Sequence, residues 1–437
     1  MSDELLPLQE QVMQTIEDKQ QVLIELASEL IGYDTTAREP TDPPRDEARL
    51  QRALKSRLQS IGAHVDLWEP EPTGCGSRFL PANLDFKGRP QLAARLSGVG
   101  GGKSLLLLGH IDAVPAEPTT LWHSGPFRAE TRAGRLYGRG SVDMKGGIAA
   151  MLLALEAIRD TGVRLAGDVT FCTVTDEESS GAGGLAAVER GVRADAGICP
   201  EPTNFDVWTA CRAGLFATVT IEGRSGHAEL KQPHWRDGGA ANAVEKLSIL
   251  LQAVERLREE WRTRADQQHP LLSPGNIVAT RVVGGEWPVS YPALCRLTCM
   301  VDYLPNQVDD EGTSRKVKRE VEEFVNRAAS SDPWLCAHPL GWEWDSGVGP
   351  AEMPQDHPLV TTVLRASEAI GRPGTIAGFD SWHDGATFTL LGSTPTLCFG
   401  PGQTEIAHTI DEYVPVRDLI DCSKSIALAV MNWCGQS

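Results

Sequence analysis

The stretch GRGSVDMKGG, from Gly138 to Gly147, places a single acid, Asp143, in a glycine-rich turn. The residues that follow, 148–159, carry apolar side chains at helical spacing and predict a helix. Glycine allows backbone conformations that side chains forbid, and an acid where a loop meets the start of a helix often holds a ligand. Asp143 alone is weak evidence, because aspartate also caps helices and closes turns. The neighbouring strands decide its meaning.

Three short apolar runs lie on either side of this turn, and each ends in polar side chains. The runs 105–108, 168–174 and 196–199 predict buried parallel strands. In open α/β sheets, ligands gather beyond the carboxyl ends of such strands. We therefore expect one edge of a sheet to collect the residues that follow the three runs, which are His110, Asp112, Glu177, Glu178 and Glu201.

The periodicity changes after residue 210. Strands are predicted at 215–222, 275–283, 294–304 and 340–344, and helices at 240–264 and 309–328. Their order, β-α-β-β-α-β, is that of a ferredoxin-like unit. We predict an α/β fold with a mixed, mostly parallel central sheet flanked by helices, formed by residues 1–210 and 349–437. A ferredoxin-like α+β domain, residues 211–348, is inserted in it.

Composition narrows the function further. A chain of 437 residues predicts two domains, and a net charge of −18 argues against binding nucleic acid or an anionic membrane. The start, MSDELLPLQE, lacks the features of a secretory signal, so we expect a cytoplasmic protein. Ten cysteines without a CxxC pair predict reduced thiols.

The segment 97–104, SGVGGGKS, is close to a phosphate-binding loop but precedes a strand, so we interpret it as an ordinary loop.

The polar residues have the chemistry of a metal site. Two histidines and three carboxylates suit a pair of divalent ions, zinc first, with cobalt or manganese as alternatives. We expect Asp143 to bridge two ions that generate a hydroxide, and Glu177 to carry the proton. Each residue also has an ordinary explanation, such as a structural His-x-Asp, a solvated helix start at 176–178, or a loop hydrogen bond from His408. For the metal site to be absent, all of these ordinary explanations would have to be true at once, each at a predicted strand or turn end.

At this point the motifs resemble those of a known family. LLLLGHIDAVP, LYGRGSVDMKGG, TDEESSGAGG, PEPT, SGHAE and FGPGQTEIAHTIDEYV resemble, in order, segments of the M20 zinc amidohydrolases and peptidases. The resemblance is to the branch of acetylornithine deacetylase and succinyl-diaminopimelate desuccinylase. It implies two Zn²⁺ per subunit, one held by His110, Asp143 and Glu201, the other by Asp143, Glu178 and His408. It also implies Glu177 as general acid/base and Asp112 as the residue that orients His110.

The same resemblance assigns roles in the inserted domain, which in such proteins is a lid that also forms a homodimer. His227, in SGHAE, would stabilise the oxyanion from the partner subunit, although it could be only an exposed turn histidine. Asn276 would reach the substrate, or could cap the start of a strand. Gly400, in the GPGQ segment, is assigned to substrate binding with them.

One position departs from the family pattern. Deacylases of this branch often carry an arginine two residues before the Leu-Pro of the lid strand, where it grips a substrate carboxylate. Here the strand reads MVDYLPN, so Asp302 stands there and is assigned to substrate binding. An acid disfavours acetylornithine and succinyl-diaminopimelate and favours an amine-bearing substrate, such as an N-formyl aminopyrimidine. Arg281 or Arg212 could compensate, or Asp302 could be a surface residue on a shifted strand.

We therefore predict a two-metal hydrolase that cleaves the amide bond of a small N-acyl compound. The alternatives are an N-formyl aminopyrimidine deacylase, a di- or carboxypeptidase of the same fold, and a non-catalytic binding relative. The intact set of ligand-type residues argues against the last of these.

Overall fold

The computed structural model describes residues 7–37, 42–71, 85–345 and 349–436. The chain divides into two compact units. The first unit comprises Met1–Ala210, Ala351–Gly378 and His383–Ser437, and the second comprises Cys211–Pro350 and Phe379–Trp382. Cys75, one of the ten cysteines, lies outside the described residues.

The described elements alternate between helix and strand along most of the chain. The helices are α1 (Pro7–Asp18), α2 (Gln20–Ile31), α3 (Glu47–Ser60), α4 (Gly146–Asp160), α5 (Ala182–Arg190), α6 (Ala243–Thr263), α7 (Arg315–Ala329), α8 (Pro333–Ala337), α9 (Pro358–Ala369), α10 (Gly385–Leu390) and α11 (Val416–Cys434). The strands are β1 (His64–Trp68), β2 (Gln91–Leu96), β3 (Leu105–His110), β4 (Glu130–Arg132), β5 (Arg135–Tyr137), β6 (Val169–Val174), β7 (Ala196–Cys199), β8 (Val207–Cys211), β9 (Ala213–Glu222), β10 (Asn276–Gly284), β11 (Leu294–Tyr303), β12 (Gly341–Trp344), β13 (Ala351–Glu352), β14 (Ile376–Phe379), β15 (Thr396–Cys398) and β16 (Tyr413–Pro415).

The large sheet of the first unit has the strand order β1-β2-β6-β3-β7-β15-β8-β13, with β14 beside β8. Its centre is parallel, since β3 pairs in parallel with β6 and β7, and β15 with β7. The pairs β1–β2 and β2–β6 are antiparallel. The predicted fold class, a mixed sheet with a mostly parallel centre, is confirmed.

Burial explains the apolar runs. All six residues of β3 are buried, and α4 is buried from Gly146 to Ile158. A strand covered on both faces needs a continuous apolar run rather than alternation. The run 105–108 has that composition because the strand is buried along its whole length. The SGVGGGKS segment lies between β2 and β3, as a loop.

The second unit is a four-stranded antiparallel sheet of order β10-β11-β9-β12 with α6 and α7. Its core includes Trp261, Trp334 and Tyr303. The helix predicted at 309–328 begins only at Arg315, because the Asp309 carboxylate accepts hydrogen bonds from the backbone N–H groups of Glu311 and Thr313 and forms a turn instead.

The second unit also takes in a short segment, Phe379–Trp382, from the C-terminal part of the chain. The backbone N–H of Arg212 donates to the Phe379 carbonyl, and the Arg212 guanidinium donates to the Asp380 carbonyl. Ser273 N–H donates to the Asp380 carboxylate at 2.8 Å. These bonds tie residues 379–382 to the inserted unit. The sequence analysis assigns all of residues 349–437 to the first domain and therefore does not predict that residues 379–382 return to the second unit.

Candidate metal centre

Five separate segments of the first unit bring polar side chains to one place. His110 ends β3, and Asp112 follows it. The turn before α4 carries Asp143, the segment after β6 carries residues 177–178, and the segment after β7 carries Glu201. His408 lies between β15 and β16. The carboxyl ends of β3, β6 and β7 meet here because the three strands are parallel neighbours.

One group of ligand-type atoms centres on His110. Its Nε2 lies 3.0 Å from Asp143 Oδ1 and 3.9 Å from Glu201 Oε1. His110, Asp143 and Glu201 each offer an atom within 4.8 Å of the others, close enough to share an ion. All three are the residues that the family resemblance assigns to one metal.

A second group shares the same aspartate. His408 Nε2 lies 3.2 Å from Asp143 Oδ2 and 3.3 Å from Glu178 Oε1. Asp143 therefore presents one oxygen to each histidine. Asp143 is therefore shared by both groups of potential ligands.

Glu177 and Asp112 lie beside these groups. Glu177 Oε2 is 4.0 Å from His110 Nε2, and His110, Glu177 and Glu178 form a third group of potential ligands. The Asp112 carboxylate accepts the backbone N–H of Glu177 at 3.3 Å and that of Glu178 at 3.0 Å. His110 Nδ1 is 3.0 Å from the Asp112 carbonyl and 3.6 Å from its carboxylate. Asp112 thus contacts His110 and also holds the backbone of residues 177–178. Sequence reasoning missed this second role.

The charges of the cluster are poorly compensated. Burial raises the pKa of Glu177 and Glu201 well above the ordinary value, although the His110 charge opposes the rise. Burial, together with the Asp143 charge, raises the pKa of Glu178 to about 7. Hydrogen bonds to Asp143 and Glu178 raise the pKa of His408 to about 10. Without cations, burial favours the protonated forms of Glu177 and Glu201 and the imidazoles hold positive charge. Burial acts on Asp143 in the same direction, but hydrogen bonds from His110 and His408 outweigh it and hold the pKa of Asp143 well below its usual range.

These residues fit divalent cations. Imidazole nitrogen and carboxylate oxygen are the donors that zinc, cobalt and manganese accept, and a cation would remove the repulsion between crowded acids. His110 Nδ1 bonds to a carbonyl, which directs the opposite nitrogen, Nε2, at Asp143 and Glu201. The first unit therefore has a candidate metal-binding group, with the ligand atoms preoriented.

Two further acids near the cluster were not singled out from the sequence. Glu412 is buried and accepts the backbone N–H groups of Val142 and Asp143. Asp384 is fully buried, and burial raises its pKa to about 8. Glu412 lies within the quoted stretch FGPGQTEIAHTIDEYV, and its burial beside an arginine could not be deduced from spacing.

The residues assigned to substrate binding divide between the units. Gly400, in the first unit, is buried, and its N–H donates to the Thr203 hydroxyl at 3.0 Å. A side chain at Gly400 would collide with the Pro200 and Glu201 carbonyls, so this glycine lets the Glu201 segment pack closely. A substrate contact by Gly400 stays a prediction.

The other two residues, Asn276 and Asp302, lie in the second unit, as does His227, to which oxyanion stabilisation was assigned. Asn276 faces Asp302 directly across β10 and β11, and their side chains are hydrogen-bonded. Asp302 is buried and not a surface residue. His227 is exposed, and its Nδ1 accepts the backbone N–H of Glu229 at 3.3 Å. That bond assigns the proton of a neutral imidazole to Nε2.

Within the described residues, no helix is both long enough and apolar enough to cross a membrane. The nine described cysteines are free thiols, and only Cys336 among them is exposed.

Solved structures share this fold. The chain superposes on aminopeptidase PepT from Bacillus cereus with a TM-score of 0.71 and 18% identity, covering 95% of this chain and 99% of that one. It superposes on human carnosine dipeptidase 1 with a TM-score of 0.67 and 16% identity, covering 98% and 99%. At these identities the likeness concerns the fold alone.

Curated relatives are more informative, because they match nearly end to end. The N-formyl-4-amino-5-aminomethyl-2-methylpyrimidine deformylase of Bacillus subtilis is 28% identical over 100% of this chain and 99% of its own length. The protein of that name from Halalkalibacterium halodurans is 27% identical over 97% of both chains. The acetylornithine deacetylase of Myxococcus xanthus is 29% identical over 93% of this chain and 96% of its own.

The model of peptidase family M20/M25/M40 matches residues 106–432, which include every candidate ligand from His110 to His408. The predicted family resemblance is therefore confirmed. Its curated relatives are amide-bond hydrolases, and this chain is a hydrolase of that class. The ordered motifs, the shared fold and a match over most of the chain lead to one conclusion: the chain belongs to peptidase family M20/M25/M40.

Proposed function

We propose that this chain is a metal-dependent deformylase that hydrolyses the formyl amide of an N-formyl aminopyrimidine. The observation that carries the deacylase part is the Glu177 carboxylate lying beside two ligand groups that share Asp143. The formyl aminopyrimidine part is supported by the two deformylases that match end to end, and by Asp302.

We propose two Zn²⁺ ions, with Co²⁺ or Mn²⁺ as substitutes. His110, Asp143 and Glu201 would hold one, and Asp143, Glu178 and His408 the other. Bound divalent cations would polarise the scissile carbonyl and lower the pKa of a coordinated water towards neutrality.

Glu177 is proposed as the general acid/base. Its side chain is largely buried, and burial raises its pKa well above the ordinary value. That is the direction in which a carboxylate becomes a better proton acceptor and its acid can donate the proton afterwards. The Asp112 carboxylate fixes the backbone N–H of Glu177 and limits the positions that the carboxylate can take. Glu177 would accept a proton from the attacking water and give it to the leaving nitrogen.

Asp302 is proposed to recognise the amine-bearing part of the substrate. Burial raises the pKa of Asp302, while the Arg212 charge and the Asn276 hydrogen bond lower it. Arg212 itself is occupied by the carbonyls of Pro274 and Asp380, so it is anchored within the second unit. The Asp302 carboxylate would accept hydrogen bonds from an aminopyrimidine, and Asn276 would orient that carboxylate.

His227 is proposed to stabilise the oxyanion in trans. The Nε2 proton of the neutral imidazole is the donor that this role needs. Mixing His227→Ala homodimers with Glu177→Ala homodimers should restore part of the activity after subunits exchange. Absence of recovery, with exchange verified by differently tagged subunits, would remove the proposal that His227 acts in trans.

We propose a homodimer formed through the second unit, which would act as a lid. This unit exposes apolar side chains, among them Phe216, Val282, Val283, Trp287 and Met300, and β10 is an edge strand. Light scattering after gel filtration should give twice the chain mass, and Val282→Glu with Val283→Glu should give the monomer. The free buried thiols support a cytoplasmic location, which cell fractionation would test.

A substrate panel tests the function. The zinc- or cobalt-loaded protein should hydrolyse N-formyl-4-amino-5-aminomethyl-2-methylpyrimidine with a kcat/KM at least about 100-fold above N-acetylornithine and N-succinyl-diaminopimelate, a difference of roughly 2.7 kcal/mol. A preference for N-acetylornithine would overturn the formyl aminopyrimidine proposal. Faster cleavage of dipeptides would establish a peptidase instead. If the protein binds neither zinc nor cobalt and hydrolyses none of these amides, it is a binding relative instead of an enzyme.

A further inference from the structure

Glu412 is a buried acid whose carboxylate is surrounded by donors. Its Oε1 accepts the backbone N–H groups of Val142 at 2.9 Å and Asp143 at 3.3 Å. Its Oε2 accepts the backbone N–H of Gly140 at 3.1 Å and the Arg139 guanidinium at 2.7 Å. All four donors belong to the turn that presents Asp143, and three of them are backbone N–H groups.

The same residue belongs to the loop that presents His408. Glu412 follows His408 by four residues, and its carbonyl accepts the backbone N–H of Gly138 at 3.0 Å. Immediately after it, β16 pairs with β5, where Tyr413 faces Tyr137. Glu412 therefore fastens the His408 loop to the Asp143 turn through both its side chain and its backbone.

Both segments need such support. His408 has a φ of 62° and Gly140 a φ of 80°, in the left-handed region. A residue other than glycine in this region is held by tertiary contacts, since its local preference lies elsewhere. Asp411, with a φ of 55°, accepts the backbone N–H of His123 at 2.9 Å and gives the loop a second anchor.

A simpler account is that Glu412 merely neutralises Arg139. Arg139 is as buried as Glu412, and it also donates to the Pro115 carbonyl and lies 5.1 Å from the Trp122 ring. The two accounts differ in what the carboxylate needs. Charge pairing requires only Arg139, whereas positioning requires the three backbone donors.

We propose that Glu412 is a positioning residue that sets the placement of Asp143 relative to His408 and thereby the metal affinity of the Asp143, Glu178 and His408 group. This inference rests on the proposed metal centre. Glu412 touches neither substrate nor metal, and it acts through the backbone of the turn and of the loop.

The main test is Glu412→Gln, titrated with Zn²⁺ and Co²⁺ against a chromophoric chelator after the full-length protein has been stripped of metal. In either amide orientation, an NH₂ group replaces an oxygen that now accepts two donors, so the turn loses bonds that the glutamine cannot replace. We expect the affinity of the Asp143, Glu178 and His408 group for its ion, called the second ion below, to fall about 10- to 100-fold. The absorption spectrum of the cobalt-loaded variant should change as well.

Two variants separate positioning from charge pairing. Arg139→Met leaves the three backbone bonds in place and should keep wild-type metal affinity, although it lowers stability. The double variant Arg139→Met with Glu412→Gln removes both charges and should bind the second ion as weakly as Glu412→Gln alone. Restored affinity in the double variant would overturn the proposal in favour of charge pairing.

The matched control is Asp421→Asn. Asp421 is a similarly buried acid of the first unit, and its ion-pair partners are Arg372 and Arg417 rather than the Asp143 turn. It should lose thermal stability with unchanged metal affinity. An equal loss of affinity in Asp421→Asn would mean that any destabilisation weakens the site and would overturn the proposal.

If Glu412→Gln does not fold, Glu412→Asp replaces it. Its shorter side chain keeps the charge but cannot reach all four donors, so the same loss of affinity is expected. A wild-type affinity in that variant would contradict the proposal. Wild-type protein that binds no metal would refute the metal centre itself, which distinguishes that failure from the failure of the Glu412 role.

Discussion

Two kinds of buried acid occur in the first unit. Asp176 and Glu412 are paired with Arg89 and Arg139, and every one of these four side chains is 5% exposed or less. Glu177, Glu178 and Glu201 are also largely buried, but among the described residues no ion pair joins them to lysine or arginine. In the part of the chain that the structure describes, their ion-pair partners are His110 and His408.

The difference distinguishes buried acids that stabilise the fold from buried acids that could bind a metal ion. A buried acid that is paired with arginine is compensated within the fold, whereas a cluster of acids that is paired only with imidazole calls for an external cation. Asp176 and Glu177 are adjacent in sequence, yet they belong to opposite classes. Four predictions test this division, from the largest expected effect to the smallest.

Glu177→Ala should lower kcat about 10²- to 10⁴-fold, because a general acid/base contributes that much. Metal content and the melting temperature should stay close to wild type. Steady-state kinetics and metal analysis of the purified variant provide the measurement. Glu156→Ala is the control, since Glu156 is a buried acid on α4 beside Arg57. Retained activity in Glu177→Ala would rule out its proton-transfer role.

Arg89→Met should show the opposite pattern. It leaves Asp176 buried without its partner, and breaking a buried pair lowers the free energy of unfolding by about 3–5 kcal/mol. Denaturant unfolding measures this loss, and metal stoichiometry at low temperature should be unchanged. Adding Asp176→Asn should recover part of the stability. A variant that kept its stability but lost metal would place Arg89 and Asp176 with the metal centre.

Asp302→Asn should affect specificity alone. Removing the charge from a hydrogen bond to an amine costs about 1.5–3 kcal/mol, so kcat/KM for the formyl aminopyrimidine should fall roughly tenfold or more. N-formylbenzylamine, which lacks the ring amine, should be cleaved as before. Asp345→Asn is the control, because Asp345 is another acid of the second unit whose pKa burial raises. Equal losses on both substrates would contradict the recognition role.

The affinity for metal should rise with pH. In the metal-free protein, the pKa of His408 is raised to about 10 and that of Glu178 to about 7, so both groups release protons when a cation binds near neutral pH. One displaced proton gives about a threefold gain from pH 6.5 to 7.0. His408→Gln should flatten the slope measured by chelator competition. If the metal affinity of the wild-type protein did not change with pH, ligation by His408 and Glu178 would be contradicted.

The same pKa direction has a consequence for the metal-free protein. Because the pKa of His408 is raised in the folded state, its contribution to stability is complete below the ordinary histidine pKa and is lost as the pH rises through about 10. A metal ion held by His408 would remove this dependence, because an imidazole ligand carries no proton on the ligating nitrogen.

Much of the architecture follows from local pattern. Short, mostly apolar runs predict β3, β6 and β7 because a strand that is buried on both faces favours apolar side chains. Helical periodicity predicts α4 and α6 within a few residues. Residue type and position after strand ends also predict which side chains could ligate metal. The family motifs add the division into ligand groups.

Other features depend on contacts between residues that are distant in sequence. The bond from Val142 N–H to Glu412 spans 270 residues, and no spacing rule connects them. The three-stranded sheet β16-β5-β4 was not predicted, since β4, β5 and β16 have only three residues each and carry little periodicity. The return of residues 379–382 to the second unit rests on bonds to Arg212 and Ser273.

The sequence by itself therefore determined the longer helices and the buried central strands, and which side chains carry the donor atoms that a cation accepts, because periodicity and donor chemistry are local properties. Only the tertiary structure decided that Asp143 presents one oxygen to each histidine, that Asp112 also holds the backbone of Glu177, and that Glu412 joins the two loops. Such arrangements require buried polar groups to find partners, and those partners come from whichever segments the fold brings together.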